Sequence, residues 1–493
     1  MTGHPPAHSL FTLTRRELVL LVLMFLASLP AVTTRIYSSD EIEYFSYLRS
    51  IWFDHDVSFE NEYQYFHDRN IARAEGFHET FLERVTEAGR RPNFGTIGSA
   101  LLWSPFYAVA DVSVRLRRAA GSSVAADGFS QPYIAAVAYG SALYGFLAVL
   151  LTIGAARRVL PASAKASARP GFAGGTVRPP AETTNDSSLF GSLVVWAGSP
   201  LLFYMYVAPP MSHACSAFAV ALFVTVWLYV RQDWSVRGVI ALGMSAGLMA
   251  MVREQDAFFA IGPALDFVLH GRRGQSIGAI ARMTVAGCAA TVLTMAPQFA
   301  AYQGLNGHMT PSRLVARKMT WTAPHALEVL FSPAHGFVFW TPLAVLAVAG
   351  LGWLAVRSTG ERRDVARLAL LMIALQIYVG GSVESWTVAG AFGQRRFVAL
   401  TALLGIGLAA LWDAARATPW RPVLTVAIVV CLWWNLALMA LFGTGLMNRQ
   451  RLELGRNAYD AFVTVPRLAP QLAYRYVFDR QSYYRTAPPA QVP

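Results

Sequence analysis

Three carboxylates crowd one short stretch, Tyr37-Ser-Ser-Asp-Glu-Ile-Glu-Tyr44, at Asp40, Glu41 and Glu43. Ser38 and Glu41 have the Ser-x-x-Glu spacing of a capping box, in which hydroxyl and carboxylate satisfy free backbone donors of a first helical turn. Glu41 therefore has a structural task open to it beside a catalytic one. Asp40 would sit near the positive end of the same helix, which favours its ionised form. An ionised carboxylate can act as a general base, taking a proton from a hydroxyl; the alternatives for Asp40 are a further capping role or a solvated acid. Ile42, Phe45, Leu48 and Trp52 recur at helical spacing and predict one buried face.

A second set of candidates carries the opposite charge. Trp386-Thr-Val-Ala-Gly-Ala-Phe-Gly-Gln394-Arg395-Arg396 combines glycines, which permit close backbone approach, with two arginines, which can grip a phosphate with paired N–H groups. Arg253-Glu-Gln255-Asp256 reads either as an internally paired turn or as a binding segment, and His213 as a polar helix-mouth residue or a ligand contact. Asp54-His-Asp56 with Glu60 and Glu62 offers hard oxygen atoms to a divalent cation, but at no recognised metal spacing, so no metal or other cofactor is required. There is no Walker loop and no dinucleotide fingerprint. Cys215, Cys288 and Cys431 lie singly in apolar runs and read as small apolar residues.

The elements that must position these groups are membrane spans. Of 493 residues, 55% are hydrophobic and only 14% charged, against about 25% charged in soluble domains. This excludes an ordinary soluble enzyme and predicts an all-α polytopic membrane protein. Its net charge of +12 is that expected of arginines at cytoplasmic helix ends and lipid phosphates, so no nucleic acid partner is inferred. A span needs about 20 apolar residues. By that rule, and with Arg-rich ends set inside, the chain has about eleven spans, near residues 18–34, 132–156, 188–207, 212–230, 236–251, 257–270, 277–300, 337–356, 368–380, 397–411 and 423–442. Arg15-Arg16 ahead of Leu18 marks an uncleaved signal anchor with the N-terminus inside. Residues 1–442 then form one transmembrane unit. Within it, 35–131 is a first outer loop whose apolar 97–114 segment is an interfacial helix, and the Ala/Pro/Gly/Ser-rich 161–186 is a flexible cytoplasmic linker; 443–493 is an outer tail. Asp40, Arg253 to Asp256 and Arg395-Arg396 all fall on the outer side, where a charge-sorting explanation for the two arginines fails and snorkelling to lipid is the alternative to ligand binding.

A first span, an outer loop opening with Asp40-Glu41 on an aromatic-rich helix, the segment Pro92-Asn-Phe-Gly-Thr-Ile-Gly-Ser-Ala-Leu-Leu-Trp-Ser-Pro-Phe-Tyr107 and a bundle of spans together resemble the GT-C superfamily of integral membrane glycosyltransferases, nearest the protein mannosyltransferase and aminoarabinose transferase types. The Lys-Pro-Pro-Leu seen in some of those relatives is absent. The resemblance implies a bacterial inner or plasma membrane enzyme whose site faces the exterior. It would move a sugar from a polyprenyl-phosphate donor, with inversion, to a lipid, glycan or protein acceptor. Asp40 is then the base, Arg395 first and Arg396 second the stabilisers of the departing phosphate, with Arg253 assisting and Gln255 or Asp256 holding sugar hydroxyls. A multi-spanning transporter or lipid flippase is the alternative; mostly apolar span interiors and the lack of a fixed-period repeat speak against it.

Overall fold

The computed structural model describes residues 13–72, 76–160, 186–316, 318–416 and 418–480. Residues 161–185 of the expected linker lie outside the described residues, as does the chain beyond 480. The described residues are helical throughout, with no β-strand; a single antiparallel bridge joins Met319 to Val383.

Each of the eleven expected spans falls on helix. The first is α1 (Arg15–Ser28). On the first loop follow α2 (Ser39–Arg49), α3 (Glu60–Asp68) and α4 (Gly98–Ala119). The bundle continues with α5 (Gln131–Val159), α6 (Asp186–Gly198), α7 (Leu201–Tyr206), α8 (His213–Val230) and α9 (Val236–Val252). Next come α10 (Ile261–Asp266), α11 (Ile277–Thr294) and α12 (Ala296–Asn306). After short turns at Arg313–Ala316, Ala326–Phe331 and Phe337–Trp340, the bundle ends with Leu343–Arg357, Gly360–Ser382, Thr401–Ala415 and Arg421–Thr444. Among the described residues, six helices are long and apolar enough to cross a membrane, and three shorter apolar ones accompany them. Some spans are broken where proline removes a backbone donor, at Pro200, Pro297 and Pro342. The 22-residue α4 is not among the spanning candidates.

Two polar clusters mark the ends of the bundle. The 18 residues of α8 rise about 27 Å, close to the thickness of a hydrocarbon core. His213 opens that helix and Arg231 follows its last turn. At the Arg231 end, buried Asp266 accepts from Trp227 Nε1 (2.9 Å), Arg231 Nε (2.9 Å) and His270 (3.0 Å). Glu17 pairs with Arg157, tying the start of α1 to the end of α5. The His213 end carries the candidate site.

The helices of the first loop sit directly on the bundle. A Cβ on Gly98 would overlap the backbone of Met251 and Val252, so only glycine lets the start of α4 meet the end of α9. Trp103 donates to Ser141 Oγ (2.8 Å) and Tyr107 to the Gly128 carbonyl (2.8 Å), which buries that side of α4. Leu101, Val109, Val112 and Leu116 stay exposed on the other side.

Candidate active site

The site is assembled from the start of α2. Ser38 Oγ accepts from Glu41 N–H (3.3 Å), and Glu41 Oε2 accepts from the N–H groups of Tyr37 (2.7 Å) and Ser38 (2.9 Å), completing the capping box that the spacing predicts. Glu41 is thereby committed to the backbone and buried, while Asp40, one residue back, is open to solvent. Ile42, Phe45 and Leu48 are buried. Phe45 packs edge-on against Phe66 (5.9 Å) and Tyr107 (6.2 Å), which locks the helix that carries Asp40 against α3 and α4. Trp52 is only half-buried and donates to Asp111 (3.3 Å) from a turn beyond α2.

Asp40 forms an ion pair with Arg395, which donates to it from the start of the turn Arg395–Leu400; both side chains keep about a quarter to a third of their surface. Arg253 reaches the same region: its guanidinium meets His213 Nδ1 (2.9 Å) and donates to Gln255 Oε1 (3.2 Å). Gln255 in turn donates to the Arg396 carbonyl (3.0 Å), and its own carbonyl accepts from Gln376 (3.0 Å). Arg396 is directed to Ser385, at its carbonyl (2.8 Å) and Oγ (3.0 Å). His213 packs against the Tyr204 ring (4.4 Å), whose hydroxyl donates to the Phe392 carbonyl (2.9 Å).

Two of the expected substrate contacts, Asp256 and Gln394, also fasten the scaffold. Asp256 is fully buried and accepts from Ser216 (2.6 Å), fastening the turn after α9 to α8. Gln394 is buried and donates to the carbonyls of His335 (2.8 Å) and Trp386 (3.1 Å), closing the loop ahead of Arg395. Trp386 itself is half-buried, stacked on His325 (5.4 Å) with His335 edge-on (6.1 Å).

The acidic run on the first loop is neutralised by arginine. Arg49 donates to Asp54 and to Glu62 (2.9 Å), Arg91 to Glu60 (2.9 Å), and Asp56 accepts from Ser50 (2.7 Å). Among the described residues no group of three His, Cys, Asp or Glu side chains is placed to hold a metal ion.

Glu43, singled out in the sequence only as part of the carboxylate cluster, and Lys318, not singled out at all, lie beside the site. Glu43 lies one turn beyond Asp40, buried, and its Oε1 accepts from Phe94 N–H (2.9 Å). Lys318 places Nζ 4.3 Å from the centre of the Phe94 ring. Burial raises the Glu43 carboxyl from 4.5 to about 8, the Asp40 charge adding to the rise while Lys318 and Arg395 oppose it. Burial also raises Glu41, to about 7, against its two backbone N–H bonds. Near the half-buried Asp40 thus stand Arg395 and Arg396, with Lys318 close to Glu43 and Arg253 close to Tyr44 on the same helix. Such a surplus of fixed positive charge suits an anionic ligand. The signal available for Glu43 was its i, i+3 spacing from Asp40.

No protein-family model matches the chain, and no curated protein matches it in sequence. Among solved structures, ArnT from Cupriavidus metallidurans bound to undecaprenyl phosphate superimposes with a TM-score of 0.53 over 96% of this chain and 73% of that one, at 14% identity. The fold is like that of ArnT. This agrees with the multi-pass, all-helical architecture expected from the sequence. At this identity the likeness extends to the backbone architecture alone.

Proposed function

We propose that the protein is an inverting glycosyltransferase that moves a sugar from a polyprenyl-phosphate donor to an acceptor hydroxyl or amine on the outer face of the membrane. The observation that carries the reading is the pairing of Asp40 with Arg395, a base and a phosphate-binding group brought together from the two ends of the membrane unit. The fold shared with ArnT, which holds undecaprenyl phosphate, supports a polyprenyl-linked donor.

In the proposed reaction the acceptor oxygen or nitrogen attacks the anomeric carbon from the side opposite the phosphate. The bond to the acceptor forms, the carbon–oxygen bond to phosphate breaks, and the electron pair leaves on the phosphate oxygen. Asp40 takes the acceptor proton. Arg395, with Arg253 beside it, stabilises the charge that develops on the departing phosphate. Arg395 pairs with Asp40 until a donor phosphate competes for the guanidinium, which ties the base's release to donor binding. Arg396, bonded to Ser385, contributes charge to the rim.

The test is incubation of the purified protein in lipid nanodiscs with a panel of polyprenyl-phosphate sugars and a lipid, glycan or protein acceptor, followed by mass spectrometry. Consumption of at least one donor, with free polyprenyl phosphate appearing in step, is expected; consumption of none would overturn the reading.

A further inference from the structure

Glu43 is held from three directions. The loop 93–95 clips it twice: Asn93 Nδ2 donates to its backbone carbonyl (2.9 Å) and Phe94 N–H to its Oε1 (2.9 Å). The same loop receives Lys318 on the Phe94 ring. Lys318 is fixed there by a short antiparallel pairing, in which Glu384 N–H donates to the Lys318 carbonyl (2.7 Å) and Thr320 N–H to the Ser382 carbonyl (2.7 Å). The loop that bears Lys318 is therefore tied to the segment that leads to Arg395. On α2, the i, i+3 spacing sets Glu43 beside Asp40. The charged and titratable groups that face Glu43 are Asp40, Tyr44 and Tyr47 from its own helix, Tyr63 from α3, Lys318 from the tied loop, and Arg395.

A capping role does not account for Glu43, because Glu41 already closes the helix start. Its Phe94 bond needs only an acceptor oxygen, which an amide would provide equally. What a carboxyl adds over an amide is a proton or a charge, and burial beside Asp40 disfavours the charge. We propose that Glu43 is a positioning residue of the Asp40 site that acts as a neutral acid: it clamps the base against the 93–95 loop, and by staying protonated it leaves the site with one carboxylate. Ionised, it would add a second negative charge where an anionic donor must bind. Donor use is then switched off on the alkaline side. The inference rests on the glycosyl-transfer reading. Its physical support is burial beside a like charge, which lifts the carboxyl to about 8.

The experiment is the pH profile of kcat/KM for the donor found in the nanodisc panel, for wild type, E43Q and E43A, together with infrared titration of the wild type. With a proton lost near pH 8, wild-type kcat/KM falls about tenfold between about pH 7 and pH 9. E43Q, which keeps the acceptor for Phe94 N–H, is within about tenfold of wild type at pH 7 and lacks the alkaline fall, whereas E43A is lower by at least a further tenfold. In the infrared, a protonated carboxyl band absent from E43Q disappears from the wild type near pH 8. An alkaline fall retained in E43Q, a folded E43Q inactive at every pH, or no such band would each overturn the proposal. If wild type consumes no donor, the glycosyl-transfer reading fails, and the infrared band alone decides whether Glu43 is a neutral acid.

Discussion

Asp40 and Arg395 are 355 positions apart, and their side chains meet in an ion pair at the mouth of the helical bundle. Neither is buried, so the pair gains little by itself; exposed ion pairs contribute about 0 to 1 kcal/mol. Its weight lies in the chemistry it joins.

Replacing Arg395 by Ala should lower donor turnover about 100- to 1,000-fold, the usual effect of removing one preorganised donor to a developing negative charge. Arg396→Ala should cost less, since its guanidinium is already directed to Ser385. Initial rates of donor consumption rank the two; an Arg396 defect larger than that of Arg395 would reverse the assignment.

Glu41 is predicted to serve stability before chemistry. Glu41→Ala removes the acceptor for the Tyr37 and Ser38 N–H groups and should cost about 1 to 2 kcal/mol, and Ser38→Ala about 1 kcal/mol. Thermal unfolding in detergent measures both. A Glu41→Ala protein as stable as wild type but inactive would return Glu41 to the catalytic group.

His213 gives Arg253 its partner within the bundle (2.9 Å). His213→Ala should leave the guanidinium held by Gln255 alone and raise the donor KM about tenfold, the worth of one charge-assisted hydrogen bond of about 1.5 kcal/mol, with a smaller change in kcat. A fall in kcat at constant KM would instead put His213 in the chemical step.

The first loop sets a pH dependence of stability. Burial raises Glu41 and Glu62 to about 7 and Glu43 to about 8, against 4.5 for the unfolded chain. Each binds its proton more tightly when folded, so its contribution is complete below about pH 4.5 and is lost as the pH rises through 7 to 8. The unfolding midpoint of wild type relative to E43Q should therefore fall between about pH 6 and pH 9. A relative midpoint that rises over that interval has the opposite sign and would contradict the burial of a neutral Glu43.

The helical spans and the capping box were legible because they depend on local rules: apolar run length, arginine at one end, and a four-residue spacing. Asp40 and Arg395 were expected to act together, and Arg253 only to share their side of the membrane; which further side chains touch is settled by tertiary packing. That is why the His213 to Arg253 contact, 40 positions long, could not be read in advance. Asp256 and Gln394 carry a scaffold task that the sequence did not show, one accepting from Ser216 and the other donating to loop carbonyls. The acidic run at Asp54 to Glu62 suggested oxygen ligands because its neutralising arginines, Arg49 and Arg91, lie outside it in sequence.

The central claim is that Asp40 is the base, and Asp40→Asn tests it most directly. Asparagine keeps the size and can still accept from Arg395 but cannot take a proton. Donor consumption in nanodiscs should fall at least about 100-fold while the protein stays monodisperse and binds the donor lipid as wild type does. Consumption within about twofold of wild type would contradict the account.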